Sequence, residues 1–83
     1  MKHAGPAALD GLDPLLGEIR TREGLKEKRR GVFYRGGKAW LHFHEDPAGM
    51  FADLKCGSDW LRFDVSDEAG RCALLHGLDN SDA

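Results

Sequence analysis

Between residues 31 and 65 three turn signals, Gly36-Gly37, Asp46-Pro47-Ala48-Gly49 and Gly57-Ser58, divide the chain into four short segments of alternating character. Gly-Gly and Gly-Ser suit two-residue hairpins because their backbone enters the left-handed region without penalty, and Asp-Pro-Ala-Gly suits a four-residue loop. The segments between them therefore read as a four-stranded antiparallel meander. The turns also set its register. Because side chains alternate along a strand, Val32, Tyr34, Ala39, Leu41, Phe43, Met50, Ala52, Leu54, Leu61, Phe63 and Val65 fall on one face, the expected core. The other face collects Phe33, Arg35, Lys38, Trp40, His42, His44, Phe51, Asp53, Lys55, Trp60, Arg62 and Asp64.

The flanks supply helices. Asp13 reads as an N-cap with Pro14 in the first helical position, and Leu12, Leu15, Leu16 and Ile19 make an apolar stripe at helical spacing that ends near Arg20 to Arg22. Glu23 to Gly31 is a charged connector with Leu25 as its apolar plug. After the meander Ser66 is the expected N-cap of a second helix running to about His76, with Ala69, Cys72, Ala73, Leu75 and Leu78 buried and Gly77 as its C-terminal cap. The expected fold class is α+β, in the order α-β-β-β-β-α with both helices on one sheet face. Residues 1–11 read as a flexible arm, 12–79 as a single domain and 80–83 as a polar tail.

At 83 residues the chain has room for one core, and a deep catalytic cavity would compete with it. That reads against an enzyme. The formal net charge of −2 gives no polyelectrolyte character, although basic residues cluster before and across the first hairpin. Cys56 and Cys72 match no metal-ligand spacing and read as reduced thiols. No signal-peptide pattern or membrane-length apolar run occurs, so the expected location is cytoplasmic, with no membrane contact. No cofactor is expected, and with no glycine-rich phosphate loop or nucleophile elbow nucleophilic catalysis has little support.

The register brings chemistry together on the polar face. His42 aligns with Asp53 and Arg62, His44 with Phe51 and Asp64, and Trp40 with Lys55 and Trp60, with Phe33 extending that last row. Phe33, Trp40, His42, Asp53, Trp60 and Arg62 are accordingly the expected binding residues of an interaction module that contacts another protein or a second copy of itself. A first alternative is nucleic-acid contact, with Lys28, Arg29, Arg30, Arg35 and Lys38 on phosphates and Trp40 or Phe33 stacking on bases. A second is a small metal-dependent or acid–base enzyme. His42-Phe43-His44 projects two imidazoles from one strand as metal ligands, with Asp53, Asp64 or Glu45 as a third, while His3 and His76 offer no evident completion. The plain alternative for the His42, Asp53 and Arg62 row is a cross-strand network that stabilises the sheet.

Gly24-Leu25-Lys26-Glu27 after the first helix, and Gly36-Gly37-Lys38-Ala39 leading into an apolar strand, resemble the MmcQ/YjbR-type small α+β proteins over residues 12–75. The resemblance implies a compact sheet-plus-helices domain in a group described as predicted DNA-binding. It carries over no catalytic residue.

Overall fold

A computed structural model describes residues 2–80. Among these residues nine elements follow one another: β1 (Lys2–His3), α1 (Pro6–Gly11), α2 (Asp13–Arg20), β2 (Leu25–Arg29), β3 (Val32–Arg35), β4 (Lys38–Asp46), β5 (Gly49–Cys56), β6 (Asp59–Asp64) and α3 (Glu68–Asp79). The sheet has six strands, in the order β2-β3-β4-β5-β6, with β1 pairing on β4. The α+β class and the antiparallel meander are as expected; two strands and one helix are additional. No helix among the described residues is long and apolar enough to cross a membrane.

The turns form where the glycines demand them. Gly36 and Gly37 both take positive φ (59° and 79°), so Arg35 pairs with Lys38, and Gly57 at φ 62° lets Cys56 pair with Asp59. Asp46 pairs with Gly49, which leaves Pro47 and Ala48 as the turn. From β4 to β6 the register is regular and as derived: His42 faces Asp53, which faces Arg62, and His44 faces Phe51, which faces Asp64.

The first hairpin departs from expectation. Its register shifts between Phe33 and Tyr34, because Trp40 is an extra residue on β4: Tyr34 pairs with Ala39 but Phe33 pairs with Leu41 and Val32 with His42. This β-bulge inverts β3. Phe33 and Trp40, expected on the polar face, are buried in the core with 1% and 5% exposure, while Val32 and Tyr34 move to the opposite face. Burial of a large apolar side chain is worth roughly 1.5–3 kcal/mol, and Phe and Trp offer more area than Val and a Tyr that keeps its hydroxyl in water. One unpaired residue is the smaller cost.

The connector and the arm are also structured. Leu25 to Arg29 form β2, held to β3 with a second irregularity between Glu27 and Arg29, and Leu25 packs against the core. Lys2 and His3 pair with Glu45 and His44, and Ala4 N–H donates to the Phe43 carbonyl, so β1 prolongs the edge of β4 that β3 vacates. Leu9 of α1 is buried.

The core lies between one sheet face and the helices. Leu9, Leu12, Leu15, Leu16 and Ile19 pack with Phe33, Leu41, Phe43, Ala52, Leu54, Val65, Leu74 and Leu78. The α2 stripe is the expected one. In α3 the cap is Asp67, whose carboxylate accepts from Gly70 N–H, and the helix continues through Gly77 to Asp79. Its packed side runs through Gly70, Leu74, Gly77 and Leu78, whereas Ala69, Cys72 and Ala73 are exposed. The two glycines explain the difference. A Cβ on Gly70 would collide with the Asp64 carbonyl, and one on Gly77 would lie 3.2 Å from Phe63 Cζ, so the helix approaches the sheet along its glycine-bearing side.

Candidate functional site

The sheet face opposite the helices carries the chemistry. Pairing runs one row across all five strands of the meander, Arg29, Val32, His42, Asp53 and Arg62, and a second row through His3, His44, Phe51 and Asp64. Paired residues share a face, so backbone geometry alone places these side chains together.

Asp53 is the electrostatic centre. Its carboxylate accepts from Arg62 Nε at 2.8 Å and Nη2 at 2.9 Å, a two-pronged contact that fixes its plane. The same carboxylate approaches His44 Nε2 at 3.3 Å. The Arg62 hydrogen bonds hold the Asp53 carboxyl below the usual carboxylate range against the opposing effect of burial. Asp53 is therefore anionic at neutral pH and already engaged. It orients His44, not the His42 that shares its row.

Three imidazoles crowd beside it. The ring centre of His3 lies 4.9 Å from that of His44 and 5.6 Å from that of His42, and His42 and His44 are 6.2 Å apart. His42 also meets the Trp60 ring at 5.2 Å, and its Nε2 is buried with no hydrogen-bond partner. Burial lowers the His42 pKa, the neighbouring His3 and His44 add to that effect, and Asp53 opposes it. Burial likewise lowers that of His44 and outweighs the attraction of Asp53.

Of the expected binding residues, His42, Asp53, Trp60 and Arg62 are brought together, and Phe33 and Trp40 are not. Of the expected Phe33, Trp40 and Trp60 only Trp60 stays on the open face, where it keeps a cation–π contact with Lys55 at 5.0 Å. The basic set is dispersed. Arg30 is tied to Asp10 and Asp13 beneath the helices, Arg35 lies over the Trp40 ring on the helix side, and Lys28 lies over Tyr34 on the open face. With Phe33 and Trp40 buried, neither stacking residue of the nucleic-acid reading is presented to a base. His3, set aside in the sequence, is in the cluster. Nothing local marks it, because only the pairing of β1 with β4 carries it there.

Two surface depressions flank the rows, one beside Arg35, Lys38, Trp40 and Lys55 and the other beside Lys2, Glu45, Pro47 and Met50; His42, His44 and Asp53 line neither. Both cysteines are free and exposed. Comparison with known proteins finds no matching family model, no matching curated protein and no matching solved structure. The site is thus read from its own chemistry.

Proposed function

We propose that this chain is a non-enzymatic interaction module that pairs with a second copy of itself through β6 and the adjoining Trp60 side of the open face. The supporting observation is the contrast between the outer edges of β2 and β6. On β2 a backbone irregularity and the side chains of Lys26, Lys28 and Arg29 guard the edge against strand addition. On β6 the pairing with β5 is regular, and the large exposed hydrophobic residues Trp60 (42%) and Leu61 (47%) are neighbours there, one on each face. Such an edge accepts another strand.

A two-fold axis at Leu61 gives the complementary antiparallel register. Leu61 then meets Leu61 of the second copy on the helix side, and Trp60 meets Arg62 of the second copy on the open side, twice over by symmetry. Arg62 is half-exposed although Asp53 holds its fork, so its guanidinium plane is free to stack on an indole. Sedimentation velocity across a micromolar-to-millimolar series tests the reading. Wild type is expected to shift from monomer to dimer, and Leu61→Lys, which sets two ammonium groups against each other on the axis, to remain monomeric. A wild type that stays monomeric to about 1 mM, a concentration that detects an association free energy of only about 4 kcal/mol, overturns it.

A further inference from the structure

We propose that His3, His42 and His44 together form a binding site for a divalent first-row transition metal ion, such as zinc, within a single chain. The first argument is the spacing of the rings. Metal–nitrogen bonds of ~2.1 Å at a tetrahedral angle put imidazole centres ~5 Å apart. Two of the three separations here, 4.9 and 5.6 Å, match that spacing, and the third, 6.2 Å, has to close by about 1 Å.

The second argument is the freedom of the donors. As the side chains stand, no three His, Cys, Asp or Glu among the described residues are grouped so as to hold a metal ion. Turning an imidazole about its Cβ–Cγ bond, however, leaves the ring centre in place while Nδ1 and Nε2 sweep round it, and that torsion is broad and soft. His42 Nε2 gives up nothing by turning, since it is buried and unpartnered. A buried, orphaned nitrogen on one of three crowded imidazoles is a poor way to build a purely structural cluster, because a buried polar atom without a partner is destabilising.

The third argument is the surroundings. Three imidazoles are a donor set that borderline cations such as zinc prefer, and they leave a coordination position open. His44 Nε2 is held from outside by Asp53, the kind of outer contact that fixes a ligating ring. Arg62 neutralises Asp53, so the three histidines supply the affinity and the carboxylate the orientation.

Zinc chloride titrated into tag-free protein at pH 7.5, followed by calorimetry and by the NMR signals of the four histidine rings, tests the proposal. The expected result is one equivalent bound per chain, selective shifts of His3, His42 and His44, and no shift of His76. His3→Gln and His42→Gln should each weaken binding at least tenfold, with His76→Gln unchanged. Uniform ring shifts, no saturable binding, or equal affinity in His3→Gln overturns it. His3 is an exposed residue of a two-residue edge strand, so that variant keeps the test decisive even where His42→Gln fails to fold. Leu61→Lys separates this site from the self-association reading, since it is expected to bind zinc as wild type does while remaining monomeric.

Discussion

His42 and His44 are each held in the neutral form by the fold, and that preference has a measurable direction. An unfolded histidine takes up its proton near pH 6.5, whereas these two take theirs up only at lower pH. Between those points the unfolded chain binds more protons than the folded one, so stability rises with pH. In chelator-treated buffer, denaturant midpoints should therefore fall as the pH is lowered from about 7 to 5, the range in which an ordinary histidine charges. His42→Gln should flatten part of that slope. An unchanged slope in the variant would show that His42 titrates normally and that its burial has been misjudged.

At the scale of elements, the helices contain glycines of opposite kinds. Gly17 lies within α2 with no atom in reach of an added Cβ, so Gly17→Ala should stabilise by up to ~1 kcal/mol through backbone entropy alone. Gly70 offers the same entropic gain but stands against the Asp64 carbonyl, and Gly70→Ala should destabilise by roughly 1–3 kcal/mol as α3 is pushed from the sheet. Urea midpoints for the pair decide whether close approach or propensity governs α3. The same residues show what the sequence leaves unmarked. Leucine spacing in α2 identifies its buried side directly, because apolar side chains announce where they pack. In α3 contact is made partly by the absence of a side chain, so an apolar count selects Ala69, Cys72 and Ala73 in place of Gly70, Leu74 and Gly77. The turns of β4 to β6 are legible because their residues act locally. The bulge at Trp40 is not, because it is decided by competition between whole strand faces for the core.

Across the whole molecule, half of the site was readable. His42, Asp53 and Arg62 follow from turns within a few residues of them, and their pairing is the derived one. His3 depends on a contact between the two-residue β1 and β4, far apart in sequence, with no local signal to betray it. Strand β2 stayed hidden for a different reason: its alternation is carried by Leu25 and Glu27, and the latter points inward only because Arg20 of α2 and the Gly31 amide engage its carboxylate. Amide hydrogen exchange should rank these parts. Protection is expected to be greatest in central β4 and β5 and least at Ala4, whose amide closes β1 onto Phe43. Equal protection of Ala4 and Phe43 would contradict this.

The two-residue β1 acts, in that light, as a latch. It is attached by little, since two residue pairs and the Ala4 amide join it to β4, and its contacts are far more distant in sequence than those of the hairpins. Its release would take one imidazole out of the cluster and leave the core of the sheet intact. Anything joined ahead of Lys2, an affinity tag included, pulls directly on that latch, and a histidine tag would also offer rival ligands a few residues away. The behaviour of this face in solution is thus tied to how the segment around Lys2 and His3 is handled.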